Sequence, residues 1–196
     1  MHELTSPDGK LKVQLNTDEN LKWKAFLNEV EIIESVEMEM MFDEKRSIGS
    51  NPKLKSTEVK QKEERIEPVI PNKDRVVNSH YKEMTLAMHG KYSIVLRVYN
   101  DGIAYRFIDD SKRTERVVSE KMRVDLPDNT MSYFPKEESM YSHNERIYLK
   151  QQVEDFKRGD FCSLPVLFDT GAGKVLITEA SLHDYPGMFL KFDKEI

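Results

Sequence analysis

The stretch Tyr81–Phe107, "YKEMTLAMHGKYSIVLRVYNDGIAYRF", decides the fold. Leu96 and Val98 flank Arg97, and Tyr105 and Phe107 flank Arg106 after the Asp101-Gly102 dipeptide. A period of two marks strands with one buried face, and Asp-Gly between two such runs is a hairpin signal. A two-residue type I′ turn at Asp101-Gly102 pairs Asn100 with Ile103, Val98 with Tyr105 and Leu96 with Phe107. The same register faces Arg97 with Arg106, a like-charge pair that a nearby acid or water must relieve. A three-residue loop with a bulge would mix apolar and polar residues on both faces, so the two-residue turn is expected.

The same alternation extends outward. "GKLKVQLN" sets Leu11, Val13 and Leu15 against Lys10, Lys12 and Gln14, after the turn Pro7-Asp8-Gly9. "LKWKAFL" puts Leu21, Trp23 and Ala25 on one face. Val30 to Phe42 has a composition that suits a helix, but the Glu/Met alternation from Glu37 to Met40 favours a strand. Residues 43–68 are the most polar part of the chain and read as a solvated loop or hairpin. Further strands are expected at "EKMRVDLP", "TMSYFP", "ERIYLKQQV", "CSLPVLFDT", "GKVLITEA" and "GMFLKFD", with "DTGAGK" as a hairpin turn. Many short strands with turn signals and almost no helical period imply an all-β sandwich.

Composition narrows the function. The 196 residues suggest one domain or part of a larger one, able to bury roughly 70% of the unfolded surface. Net charge is −5 with basic and acidic residues interspersed, which argues against a nucleic-acid partner. The single cysteine, Cys162, allows no internal disulfide and reads as an inert buried thiol. No apolar run approaches the ~20 residues of a membrane span. The N-terminus, "MHELTSPDGK", has no signal-peptide apolar stretch, so the chain is expected to be cytoplasmic or to have lost its export signal.

Familiar catalytic patterns are missing. His2, His80, His89, His143 and His183 have no metal-ligand spacing, and no nucleophile elbow is visible. "DTGAGK" lacks the Gly-Lys-Ser/Thr ending of a phosphate loop. Tyr133, Phe134, Tyr141, Tyr148 and Tyr185 could stack on sugars or simply pack in core and rim.

One residue stands out in Lys174–Met188, "KVLITEASLHDYPGM". Glu179 falls on the same side of its strand as Val175 and Ile177, where an ionised carboxylate is costly without a partner. It stands at a strand end, before a chain reversal through Asp184, Pro186 and Gly187, a common location for functional side chains. It can be a rim acid paired with a lysine or arginine. It can also be a hard oxygen ligand of the kind calcium takes in sets of about six to eight.

Four segments carry a family resemblance: "LTSPDGKLKVQL", "RVVNSHYKEMTLAM", "LRVYNDGIAYRF" and "LITEASLHDYPGMFLK". In this order the chain resembles the N-terminal domain of glycoside hydrolase family 97, the bacterial α-glucosidases and α-galactosidases. The Glu-Ala-x-Leu-x-Asp-Tyr-x-Gly-Met run is the most diagnostic part.

The resemblance implies a β-super-sandwich of the galactose-mutarotase type over residues 1–196, in a truncated or partial version. It implies a catalytic (β/α)8 barrel as partner in the same polypeptide, followed by a C-terminal β domain, both absent from this chain. Glu179 is then the residue that leaves the sandwich to coordinate calcium in the barrel's active site. The other ligands and the catalytic carboxylates would belong to the barrel, so no activity is expected for this chain alone. Glucosidases of the family invert and galactosidases retain, through differently spaced carboxylate pairs. Substrates would be α-glucoside or α-galactoside oligosaccharides, and the place of action periplasmic or secreted. The alternative is a non-catalytic sugar- or protein-binding sandwich on the same fold. Asp184 and Tyr185 would shape the loop or pocket wall, Asp184 as a turn residue.

Overall fold

The structure, a computed structural model, describes residues 1–43, 46–71, 73–112, 114–143 and 145–193. Glu44 and Lys45 of the polar segment, and Asn144 in the "MYSHNERIY" stretch, lie outside the described residues. The chain divides into two compact units, Met1–Asp125 and Leu126–Ile196. Every described strand pair is antiparallel.

The first unit has two sheets. One has the order β1 (His2–Thr5), β2 (Leu11–Asn16), β3 (Lys22–Leu27), β4 (Val30–Phe42), β10 (Val117–Asp125), with the short β5 (Ser47–Ile48) also on β4. The other runs β6 (Leu54–Ile66), β7 (Val77–Met88), β8 (Tyr92–Tyr99), β9 (Ile103–Asp109). Strand β1 approaches β7 and β2 approaches β8. The alternation read from sequence sets the inner faces: Val13, Leu15, Leu21 and Ala25 are buried, as are Leu86, Ile94, Leu96 and Val98. Each such large aliphatic contributes ~1.5–3 kcal/mol on burial. The Trp23 indole also buries its polar handle, donating to Met38 Sδ at 3.3 Å.

Strand β4 spans the whole expected segment, so the Glu/Met alternation outweighed its helical composition. Its backbone is approached closely by Gly49, at φ +100, where an added Cβ would lie 2.2 Å from Met38 O. Only glycine fits there.

One expectation is corrected. The β8–β9 turn is centred on Asn100-Asp101, with Tyr99 N–H donating to Gly102 O at 2.8 Å and neither turn residue at positive φ. The pairs are therefore Val98 with Ile103 and Leu96 with Tyr105, while Arg97 faces Ala104. This slip of two keeps every side chain on its expected face and removes the Arg97–Arg106 opposition. Arg97 instead meets Glu83, directly opposite on β7.

Half of the polar segment is strand rather than loop: Leu54–Ile66 form β6, the first arm of a hairpin with β7, exposed along nearly its whole length. It pairs with β7 from Leu54–Met88 to Ile66–Val77. As a sheet edge, its many lysines and glutamates suit it, since charge discourages edge-to-edge pairing.

The second unit holds a four-stranded sheet, ordered β13 (Leu149–Gln152), β11 (Met131–Phe134), β15 (Val166–Asp169), β16 (Lys174–Ile177). A three-stranded sheet is ordered β12 (Lys136–Glu137), β14 (Phe161–Cys162), β17 (Leu190–Lys191). Phe134, Phe156, Cys162, Val166 and Phe168 form the core, with Val175, Ile177, Leu190 and Phe192 packed against it. Phe156 and Phe192 stack at 3.7 Å, and Phe134 meets Phe156 edge-on at 4.1 Å. Cys162 is free and buried, and burial pushes its thiol up to about 12, in line with an inert residue. No helix among the described residues is long and apolar enough to cross a membrane.

Candidate functional site

The site begins with the β15–β16 hairpin. Thr170 N–H donates to Gly173 O at 3.0 Å, and Gly171 takes φ +77, closing the expected "DTGAGK" turn. Along β16, Val175 and Ile177 turn toward the core while Leu176 is exposed. The strand stops at Ile177, and Glu179 continues the inward side at intermediate exposure.

What meets Glu179 is backbone. Met188 N–H donates to Glu179 Oε1 at 2.7 Å, across nine residues. A charge-assisted bond to a peptide N–H is among the stronger ones and fixes the carboxylate's direction. Among the described residues, no lysine or arginine forms an ion pair with Glu179, and Oε2 takes no hydrogen bond. The rim salt bridge that the sequence left open is not formed among them.

The bond closes a loop whose tip, Ser181–Gly187, is exposed. Ser181 at φ 58 and Asp184 at φ 53 lie in the left-handed region, and His183 N–H donates to Ser181 O at 2.8 Å. Asp184 is thus a turn residue, as expected. Such backbone strain persists only where surrounding contacts fix it, and it recurs at ligand-binding loops. After Met188 the chain enters β17, which pairs with Phe161-Cys162. Glu179 therefore sits where the chain leaves one sheet of this unit for the other.

The aromatic candidates do not converge. Phe134 is core, whereas Tyr133 points to the opposite face of β11 under Lys150 Nζ, 5.6 Å from its ring centroid. Tyr148 donates its hydroxyl to Pro165 O at 2.8 Å, and Tyr141 is 98% exposed. Tyr185, in the Glu179 loop, is 43% exposed.

A second carboxylate escaped the sequence reading. Glu137 is buried, accepting from Ser142 Oγ (2.5 Å), Arg146 Nε (3.0 Å) and Ser163 Oγ (2.9 Å). The Ser142 hydroxyl leads these partners in holding its carboxyl below the ordinary value against the opposing effect of burial. With both oxygens engaged by this unit's own side chains, Glu137 pins the segment that follows β12. Among the described residues, no group of three His, Cys, Asp or Glu side chains is arranged to hold a metal.

Comparison with known proteins gives the frame. The family model described as Glycosyl-hydrolase 97 N-terminal matches residues 4–196. The retaining alpha-galactosidase of Bacteroides thetaiotaomicron is 30% identical over 197 residues, covering 95% of this chain. The chain spans 30% of that protein's length. A glycoside hydrolase family 97 enzyme from Pseudoalteromonas sp. strain K8, solved in complex with acarbose, superposes with a TM-score of 0.86 at 15% identity. That match covers 97% of this chain and 30% of the enzyme. A β-arabinopyranosidase structure matches at a TM-score of 0.76 and 18% identity, over 92% of this chain and 31% of its own. These two likenesses establish a shared all-β fold. The match of the family model over almost the entire chain establishes more: the chain belongs to the glycosyl-hydrolase 97 N-terminal family.

Proposed function

We propose that this chain is the N-terminal part of an exo-acting α-glycosidase and that Glu179 supplies one ligand to a calcium ion completed by a catalytic barrel. The observation that carries this reading is the state of Glu179. One oxygen is aimed by the Met188 N–H, and the other has no partner among the described residues. A carboxylate is the hard oxygen donor calcium prefers, so the residue fits the ion. Calcium takes about six to eight oxygens, so a single carboxylate requires the rest from outside this chain. When bound, the ion would orient carboxylates and water and stabilise charge developing at the glycosidic centre.

The work of this chain's own residues is positional. Glu179 presents its partly exposed carboxylate just past the strand end, Met188 fixes its direction, and the turn at Ser181 and Asp184 carries the loop back to β17. The acid and base would come from the barrel. The 30% identity to a retaining alpha-galactosidase favours α-galactosides over α-glucosides, and with them a carboxyl pair ~5–5.5 Å apart. Oligosaccharides of this kind suit a periplasmic or secreted enzyme.

The Met188 bond also favours a second reading, in which Glu179 only staples its loop. Glu179→Gln separates the two, because the amide oxygen still accepts from Met188 N–H while the charge is lost. The test is an assay of the complete polypeptide carrying this chain, on aryl α-galactosides and α-glucosides with and without a chelator. Metal ligation predicts that chelation abolishes activity and that Glu179→Gln lowers it. Full activity of the variant, with unchanged chelator sensitivity, supports the staple.

A further inference from the structure

A cleft of about 380 Å³ opens on the first unit, at one end of the β6–β9 sheet. That volume lies within the ~300–1,000 Å³ range of small-molecule sites. Its floor is a cross-strand pair of small residues, Ala87 opposite Ser93, which leaves a hollow on the sheet face. Its rim carries Lys55, His89, Lys91 and Asp110. Lys55 stands at a register shift between Leu54 and Ser56, and such bulges re-aim a side chain.

The rim is held by backbone rather than by its side chains. His89 N–H donates to Lys53 O at 2.9 Å, and Asp110 N–H donates to Lys91 O at 2.9 Å. Lys91 occupies the left-handed region at φ 57, a strained conformation that recurs at ligand clamps. The Ser93 hydroxyl, in a residue only 9% exposed, lies 3.5 Å from Asp110 Oδ2, a contact long enough to leave both groups capacity for a ligand.

We propose that this cleft binds a saccharide through vicinal hydroxyls, at a site separate from Glu179. The donor set decides the class. Two ammonium groups and a hydroxyl donate while one carboxylate accepts, which matches a diol that needs both. An inorganic anion would meet the Asp110 carboxylate unfavourably. The choice of sugars rests on the glycosidase reading above, whereas the cleft itself does not involve Glu179. With Ala87 as floor, and with the ring of Tyr92, which also lines the cleft, only 6% exposed, affinity should be in the millimolar range.

The test is an NMR titration of this chain, following backbone amides with melibiose, maltotriose and inorganic phosphate as separate probes. Either sugar should shift the amides of Ala87, Ser93 and Asp110 saturably. Asp110→Asn combined with Lys91→Met should weaken binding at least ~tenfold. Both changes keep the Asp110–Lys91 backbone bond, and unchanged amide dispersion elsewhere reports that the fold is retained. Glu179→Gln should bind the sugar as the parent does, even if the calcium reading fails. Saturation by phosphate with no response to either sugar overturns the proposal. So does the absence of shifts at about 50 mM sugar.

Discussion

Arg97 Nε donates to Glu83 Oε2 at 2.7 Å between directly opposed positions of β8 and β7. Glu83 is only 9% exposed, its other oxygen lies 3.1 Å from Lys62 Nζ, and the Arg97 guanidinium lies 4.5 Å from the Tyr81 ring centroid. One carboxylate thus neutralises two cations on a largely covered sheet face. Glu83→Ala strands both and should cost about 2 kcal/mol. Urea unfolding measures this. A loss below ~0.5 kcal/mol would class the pair with ordinary surface ion pairs.

Asp109 links the end of β9 to the segment before β5. Arg46 binds it through two nitrogens, at 2.7 and 3.0 Å, and also pairs with Glu115. The guanidinium, aided by the Ser111 N–H and hydroxyl and opposed by burial, lowers the Asp109 carboxyl from 3.8 to about 2. A depressed carboxyl stabilises the fold above its unfolded pKa, and that contribution is lost as pH falls through the folded value. Asp109→Asn should therefore reduce stability at pH 7 by about 1 kcal/mol, discounted for partial exposure. The gap between variant and parent should close between about pH 4 and pH 2. Thermal unfolding across that range checks it, and a gap independent of pH would contradict the assignment.

Gly49 should tolerate no side chain. An added Cβ meets the Met38 carbonyl oxygen at 2.2 Å, and the backbone sits at φ +100. Gly49→Ala should cost at least ~2 kcal/mol, because backbone and not a flexible side chain must yield. Gly9, at φ +79 with nothing within 4 Å of an added Cβ, is the control, and its alanine variant should lose ~1 kcal/mol. Equal losses at the two sites would refute the close approach.

Much of the fold was legible because one face of each strand is buried. Val13, Leu15, Trp23, Ala25, Leu96 and Val98 all turned inward as their alternation implies. The β6 strand was illegible for the opposite reason: its residues face water on both sides, so backbone pairing with β7 leaves no apolar period to read. The β8–β9 register slipped by two because Asn100-Asp101, and not Asp101-Gly102, forms the turn. A shift of two preserves faces, which alternation alone cannot distinguish.

Glu179 could be singled out because an acid beside Val175 and Ile177 breaks a pattern. Its partner could not, since Met188 contributes a backbone N–H nine residues away. Glu137 offered no such break. It stands in "PKEESMYSHNER", where several acids compete, and two-residue strands such as β12 and β14 are too short to carry a period.

Calcium titration by calorimetry into the complete polypeptide, parent against Glu179→Gln, tests the account's centre most directly. The variant should bind calcium at least ~tenfold more weakly while unfolding at the same temperature as the parent, because its amide oxygen still takes the Met188 N–H. Equal calcium affinity in the two proteins would contradict the assignment of Glu179 as a ligand.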